Sequence, residues 1–175
     1  MSTQHAAHPV DALSLEQATW RIDPARSSVR FNTKVWGIAT VKGHFSRYHG
    51  TLDLSAEPAV ELTIEADSLD TKNAKRDEHL RSQDFFAAEE HPYVRFVSES
   101  AALEGDRLKV RGVLHARGAE MPLAIDATVR RVGDELEVEA VTAADHHRLG
   151  MTWNRLAMIR TPSELIVKGR LVRDA

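Results

Sequence analysis

From Trp20 onward, apolar and polar residues alternate with a period of two, which is the pattern of half-buried β-strands. Turn residues such as Gly50, Pro58 and Gly105 separate the alternating runs, so about eight strands are expected. Because the strands follow one another in a continuous one-sided series, the pattern predicts an antiparallel sheet rather than βαβ units.

Eight is the number of strands at which a closed barrel has an interior just wide enough to be filled by side chains or to hold one small ligand. A two-sheet sandwich is the competing architecture, and periodicity alone does not exclude it. Glycines 43, 112 and 169 interrupt strand patterns, as residues at barrel corners, bulges or close backbone approaches do. The prediction is an all-β, eight-stranded antiparallel barrel over residues 19–175, preceded by a polar tail over residues 1–18.

One segment, residues 68–92, breaks the alternation. A block of charged residues runs into Phe85 and Phe86, and Pro92 ends it. Asp70 or Thr71 can cap a helix start here.

Asp77 precedes Arg81 by four residues, the favourable order for a helical ion pair. Asp84 can cap a second helical turn, which ends before Pro92. The segment is therefore predicted to form a short helical crossover around residues 72–90 that covers one mouth of the barrel.

The order of residues from Ser68 to Pro92 resembles the signature of the YceI family. Trp20–Phe31 is similar to the first strand of that family, and Val41–Phe45 with Gly50–Leu52 to its second strand. Gly112–Gly118, followed by Pro122 and Leu123, resembles its later hairpin, so the resemblance extends from about residue 20 to 172. It implies a lipid-binding, lipocalin-like barrel that carries a polyisoprenoid or a similar long amphiphile.

Several residues depart from the family pattern. Arg26 and Trp36 stand where the family usually has histidine, and His115 stands where threonine is usual. The late arginine-containing motif of the family appears here as Asp145–Trp153. These departures concern the shape of the cavity and the identity of the ligand rather than the fold.

The predicted ligand site combines an apolar cavity with a polar lid. For Phe85 and Phe86, closure of the core and contact with a ligand are both open interpretations, whereas Arg76 and Asp77 fit a structural network better than a binding site. Arg76, Asp77 and His79 are the residues predicted to hold the lid or to meet a polar head group. The predicted cavity residues are Phe31, Val35, Trp36, Phe45, Leu62, Ile64, Phe85, Phe86, Phe96, Leu114, Ile125, Met151 and Trp153.

Composition and motifs argue against several other classes of function. The net charge of -3 is unlike that of a nucleic-acid-binding protein, and the lack of cysteine excludes thiolate metal sites and a cysteine nucleophile. His146 and His147 are adjacent, so on a strand they would point to opposite faces. No catalytic residue, metal or cofactor is therefore expected, apart from a bound isoprenoid or other lipid.

The leading hypothesis is a non-enzymatic bacterial protein that binds, transports or sequesters a polyisoprenoid, quinone-like or fatty acyl molecule. One alternative is an enzyme that uses Asp70, Asp77 and His79 on a small apolar substrate, and another is a filled barrel acting as a stress-response interaction module. The expected partner is a hydrophobic small molecule, without nucleic acid or a membrane span. The resemblance also implies self-association as a homodimer, because members of the family often dimerise.

The first residues, 1–11, contain no Lys or Arg and no continuous apolar stretch. A secretory signal needs both features, so the sequence predicts a cytoplasmic location, although many relatives are exported.

Overall fold

Over the residues that the structure describes, the fold is an antiparallel barrel with one short α-helix. The computed structural model describes residues 18–153 and 159–174. Three single-turn 3₁₀ helices lie at Pro24–Arg26, Ala66–Ser68 and His146–Leu149. The strands and the helix are β1 Thr19–Ile22, β2 Ser28–Val35, β3 Ala39–Phe45, β4 Tyr48–Asp53, β5 Ala59–Glu65, β6 Leu69–Asp70, α1 Ala74–Arg81, β7 Tyr93–Glu104, β8 Arg107–Ala116, β9 Ala119–Val132, β10 Glu135–Ala144 and β11 Ser163–Arg173.

Eight of the strands close into a ring in the order β1-β4-β5-β7-β8-β9-β10-β11, and pairing of β1 with β11 completes it. Each neighbouring pair in this ring is antiparallel. The prediction of an eight-stranded antiparallel barrel is therefore confirmed, and the competing two-sheet sandwich architecture is wrong. β2, β3 and β6 continue the sheet beyond this ring at one end of the barrel.

The 3₁₀ helix at Pro24–Arg26 splits the first strand into β1 and β2. Asp23 caps this helix by accepting a hydrogen bond from the amide of Ala25, and proline at the first helical position suits its fixed φ. As a result, β11 pairs with β2 along its first half, where Val167 faces Val29, and with β1 along its second half, where Leu171 faces Ile22.

Residues 71–92, which we call the lid, connect β6 to β7. On one side the ring of Phe86 meets Phe45 of β3 edge to face, with 5.8 Å between centroids. On the other side Arg117, in the turn between β8 and β9, donates a hydrogen bond to the carbonyl of Gln83. The lid therefore spans the end of the barrel between β3 and the β8–β9 turn.

The helix in the lid is shorter than the sequence predicts. Asn73 caps it by accepting a hydrogen bond from the amide of Arg76 at 3.0 Å, so Asp70 and Thr71 do not start it. Residues 82–90 form turns instead of a second helical turn, and Ala87 has a left-handed φ of 46°, which does not continue a right-handed helix.

The predicted ion pair between Asp77 and Arg81 is also replaced by other bonds. Asp77 accepts hydrogen bonds from Thr71, and Arg81 donates to the carbonyls of Asp67 at 3.0 Å and Leu69 at 2.8 Å. Both side chains therefore hold the helix to the preceding chain, because leaving backbone groups there without partners costs more than an ion pair between the two side chains would gain.

The end of the barrel away from the lid is packed solid. Trp20 is 1% exposed, and the guanidinium of Arg173 lies 5.3 Å from the centre of its ring. Leu52 faces Trp20 across the β1–β4 pair, and Leu136 faces Leu171 across the β10–β11 pair. All of these apolar side chains are buried, so the barrel is a cup with a filled base.

Two predictions about chain organisation remain as they stood. The predicted tail over residues 1–18 lies, except for Ala18, outside the described residues, and the division into a tail and a domain over residues 19–175 stays a prediction.

In the part of the chain that the structure describes, no helix has both the length and the apolar character that crossing a membrane requires.

Candidate functional site

A cavity of about 1070 Å³ occupies the barrel between the filled base and the lid. Its wall is formed by alternate residues of the strands, as the period-two pattern requires. The cavity reaches the surface beside α1, where the exposed residues Lys75, Glu78 and Asp84 belong to its lining. The apolar wall consists of Val29, Phe31, Val35, Val41, Phe45, Val60, Leu62, Ile64, Val94, Phe96, Leu108, Val110, Leu114, Ala116, Leu123, Ile125, Ala127, Val138, Ala140, Ala144, Leu165 and Val167.

Aromatic side chains from two segments cover the mouth of the cavity. Phe85 of the lid and Trp153, which follows the 3₁₀ helix after β10, have ring centroids 5.6 Å apart. His79 of α1 lies edge to face against Trp153 at 4.5 Å and against Phe85 at 5.2 Å. The imidazole Nε2 of His79 is also 2.8 Å from Oδ2 of Asp84. His79 therefore joins the lid to the loop after β10.

A buried hydrogen-bond network fixes the start of the lid. Oδ1 of Asp77 accepts hydrogen bonds from the amide of Thr71 at 2.9 Å and from its hydroxyl at 2.5 Å. The same hydroxyl oxygen accepts a bond from Nε of Arg76 at 2.8 Å, and Nη2 of Arg76 donates to the Thr71 carbonyl at 2.8 Å. Asp77 is only 6% exposed, and its two bonds compensate for the burial of a carboxylate.

Arg117 holds the lid from the opposite side. Its two terminal nitrogens donate to the carbonyls of Gln83, in the lid, and Gly150, in the loop after β10. A single guanidinium therefore links both segments that cover the cavity. The planar guanidinium carries donors on separate nitrogens in fixed directions, so one side chain can hold two carbonyl groups at once.

Four polar residues of the strands and of the loop after β10 interrupt the apolar wall: Thr33, Thr142, Ser163 and His146. The hydroxyls of Thr33 and Ser163 lie 2.8 Å apart, and Nδ1 of His146 lies 3.0 Å from the Ser163 hydroxyl. Burial lowers the pKa of His146, His147 lowers it further, and Asp145 acts in the opposite direction. Thr142 instead donates to the carbonyl of Ala124 at 3.0 Å.

The structure places nearly all the predicted cavity residues in the cavity lining. Trp36 is the exception, because it lies at the tip of the β2–β3 hairpin, 56% exposed and with a left-handed φ of 53°. Contact of the others with a ligand stays a prediction. Those that line the cavity are Phe31, Val35, Phe45, Leu62, Ile64, Phe85, Phe86, Phe96, Leu114, Ile125, Met151 and Trp153.

The three residues predicted for the polar lid divide between two roles. Arg76 and His79 lie in the cavity lining, whereas Asp77 is turned toward Thr71 and does not belong to the lining. Asp70, named in the enzyme hypothesis, is exposed and accepts a hydrogen bond from the amide of Lys72 at 2.7 Å. Asp70, Asp77 and His79 thus have different partners, and no shared contact brings them together as a catalytic group.

Sequence reasoning missed the polar residues of the wall and the double contact of Arg117. Thr33 and Ser163 could have been found, because each continues the inward-facing register of its strand. His146 and Arg117 carry no such signal, since both lie in irregular segments. Within residues 18–153 and 159–174, no group of three or more His, Asp or Glu side chains is arranged to hold a metal ion.

Residues 20–170 match the sequence model of the YceI-like domain. A protein of Photorhabdus laumondii is 32% identical over 132 residues, which make up 72% of this chain and 69% of that protein. Protein YceI of Escherichia coli O157:H7 is 32% identical over 124 residues, or 67% of this chain and 65% of that protein. The chain thus spans about two thirds of the length of these relatives.

Solved structures share the fold. BcnA of Burkholderia cenocepacia superimposes with a TM-score of 0.79 at 18% identity, covering 85% of this chain and 98% of that one. A polyisoprenoid binding domain from Saccharophagus degradans, implicated in plant cell wall breakdown, gives 0.75 at 15% identity and covers 90% and 100%. The YceI protein of Campylobacter jejuni gives 0.67 at 22% identity and covers 79% and 87%. At these identities the likeness shows the barrel alone.

Proposed function

The chain belongs to the YceI-like domain family, and from this premise we propose that it binds and carries a long apolar or amphiphilic molecule inside the barrel. The cavity of about 1070 Å³ with its apolar wall is the observation that carries the proposal. Its volume lies just above the range of roughly 300–1,000 Å³ that is typical of small-molecule sites.

Burial of apolar surface supplies the affinity. Each methylene group removed from water contributes about 0.8 kcal/mol, so a long chain needs few polar contacts to bind tightly. The neighbouring structure from Saccharophagus degradans is described as a polyisoprenoid binding domain, which makes a polyisoprenoid the first ligand to test. Quinone-like and fatty acyl chains fit the same apolar wall and are the next candidates.

The described residues favour binding over catalysis. The carboxylate of Asp77 is held by two hydrogen bonds from Thr71, and Asp84 is paired with His79, so both acidic groups have structural partners. A filled barrel is disfavoured, because the cavity remains open above the packed base. We therefore propose a carrier or sequestering protein rather than an enzyme or a solid interaction module.

Native mass spectrometry of gently purified protein tests the proposal. We expect a bound lipid of discrete mass, and we expect the emptied protein to bind prenyl and acyl probes with one molecule per barrel. Ala140→Phe places a ring inside the cavity on β10, since Ala140 belongs to the lining. This variant is expected to lose probe affinity by tenfold or more, because the ring takes space that the ligand chain needs.

Ala143→Phe is the matched control, because Ala143 lies on the same strand but is exposed on the outer face. It should bind probes as the wild type does. The proposal is overturned if the protein is reproducibly empty and fails to bind prenyl and acyl probes, or if both phenylalanine variants bind equally well.

A further inference from the structure

The polar cluster inside the cavity consists of Thr33 of β2, Ser163 of β11 and His146 of the 3₁₀ helix after β10. The hydroxyl of Ser163 lies in the middle, 2.8 Å from the Thr33 hydroxyl and 3.0 Å from Nδ1 of His146. All three side chains are half-buried and belong to the cavity lining. Their neighbours along β2 and β11, Phe31 and Leu165, are apolar.

The number of hydrogens in the cluster exceeds the number of bonds. A neutral imidazole has one N–H, and the two hydroxyls have one O–H each, but the two short contacts use only two of these three hydrogens. If Nδ1 accepts, the Nε2–H of His146 is left over. If Nδ1 donates, one hydroxyl hydrogen is left over, either that of Thr33 or that of Ser163, because either hydroxyl can be the donor in the contact between them. Among the described residues, no further side-chain partner takes it.

The charge of the cluster decides what kind of group can use this donor. Burial lowers the pKa of His146, so its imidazole is neutral at neutral pH. The cationic side chains of the lining, Lys75 and Arg76, belong to α1 rather than to the cluster. Within the cluster itself, an anionic head group would meet only uncharged side chains, and burying an unpaired charge is costly.

We propose that Thr33, Ser163 and His146 form the binding site for an uncharged oxygen, either a hydroxyl or a carbonyl, at one end of the ligand. This assignment rests on the proposed function and gives the ligand an orientation. Ser163, at the start of β11, faces Ala144, at the end of β10. The loop that follows Ala144 is linked to the lid through Arg117, so the polar end of the ligand lies near the lid. The apolar chain then extends toward the filled base around Trp20.

Thr142 provides a built-in comparison. It also lines the cavity, but its hydroxyl donates to the carbonyl of Ala124 at 3.0 Å and therefore has no hydrogen left for a ligand. Removing this hydroxyl changes the polarity of the wall without removing the surplus donor of the cluster.

The experiment measures the affinities of three probes with equal chain length: a prenyl alcohol, the corresponding prenyl hydrocarbon and the prenyl diphosphate. Each competes with a fluorescent acyl probe for the emptied full chain. For the wild type, we expect the alcohol to bind roughly 3- to 10-fold more tightly than the hydrocarbon, the ratio that one hydrogen bond supports. The diphosphate should bind more weakly than the alcohol.

The double variant Thr33→Val/Ser163→Ala should lose the preference for the alcohol and keep the affinity for the hydrocarbon. Thr142→Val should keep both, and His146→Phe serves as a second variant if the double variant does not fold. A wild type that binds alcohol and hydrocarbon equally, or diphosphate most tightly, overturns the assignment, as does a double variant that keeps the preference. If the wild type binds neither the three prenyl probes nor the fluorescent acyl probe, the proposed function itself fails; if it binds the acyl probe but none of the three, only the assignment of the cluster is overturned.

Discussion

The ring of Phe31 lies against Gly43, its cross-strand partner on β3, so closely that a Cβ atom at Gly43 would be 2.3 Å from Cζ of Phe31. Gly43 is buried and faces inward in register with Val41 and Phe45, which both line the cavity. The missing side chain lets the ring lie flat on the barrel wall. Phe96 covers Gly112 in the same way, with a Cβ to Cζ distance of 2.7 Å.

Gly43→Ala should destabilise the protein and narrow the cavity together. The added methyl group cannot coexist with the present position of the Phe31 ring, so the ring must move into the cavity. Such overpacking costs about 1–3 kcal/mol in the free energy of unfolding. Urea unfolding checks the stability, and titration with an acyl probe checks the affinity, which we expect to fall.

Gly37→Ala separates this effect from backbone strain. Gly37 has a left-handed φ of 70°, and no atom lies within 4 Å of the site of an added Cβ. The variant should lose about 1–2 kcal/mol of unfolding free energy, because an L-residue is strained in the left-handed conformation, but it should bind the probe normally. Equal loss of affinity in both variants would contradict the role of Phe31 and Gly43 in shaping the cavity.

Asp77→Ala should loosen the lid. The substitution leaves the amide and the hydroxyl of Thr71 without their acceptor, and a buried unsatisfied donor costs about 1–3 kcal/mol. We expect lower stability and faster release of a bound probe, measured by stopped-flow displacement. Glu89→Ala, at an exposed position of the lid outside the cavity lining, is the control and should change the release rate little.

The same variants test the enzyme hypothesis. If Asp77 only fastens the lid, Thr71→Val should reproduce the faster release, because it removes the hydroxyl from the same network. Turnover of a small apolar substrate that disappears in Asp77→Asn while the fold persists would instead support catalysis.

Arg117→Ala should release the lid and the loop after β10 together. The variant loses the bonds to the carbonyls of Gln83 and Gly150, and hydrogen bonds from a charged donor contribute about 1.5–3 kcal/mol when well formed. Amide hydrogen exchange in residues 82–92 and 146–153 is expected to become about tenfold faster or more.

Arg111→Ala is the matched control, because Arg111 is exposed on the outer face of β8. Its exchange rates in the lid should equal those of the wild type. Faster exchange in only one of the two segments would show that Arg117 does not couple them.

The strands and the cavity wall were predictable because a strand that is buried on one face has apolar and polar residues alternating with a period of two. Phe31, Leu62 and Ile125 follow from that rule alone, and all three line the cavity. Trp36 was misplaced because the rule ends where the strand ends, and the left-handed φ of Trp36 turns it out of the β2–β3 register.

The lid was predictable in its position but not in its bonds. Its charges suggested an ion pair between Asp77 and Arg81, yet both side chains bind groups of the preceding chain. A sequence pattern on one helix carries no information about orphaned carbonyls and amides contributed by neighbouring segments. The same limit hid the contacts of Arg117, whose partners lie more than thirty residues away.

The stability of the protein should fall on acidification partly through His146. Burial lowers its pKa in the folded state, with His147 adding to the effect and Asp145 opposing it, whereas the unfolded chain titrates near the ordinary value of about 6.5. Below that value the unfolded state therefore binds more protons at this residue. The free energy of unfolding consequently rises with pH in this window, so the stabilising contribution is complete above about pH 6.5 and is lost as the pH falls through the folded pKa.

Urea unfolding of the wild type and of His146→Gln at about pH 7.5 and about pH 5 measures this contribution. The wild type should lose more stability between the two conditions than the variant, because glutamine does not titrate. His49→Gln removes an exposed histidine of β4 and should retain the wild-type dependence on pH. If His146→Gln loses as much stability on acidification as the wild type, His146 is not held neutral beside Ser163, and the uncharged character of the cluster is lost with it.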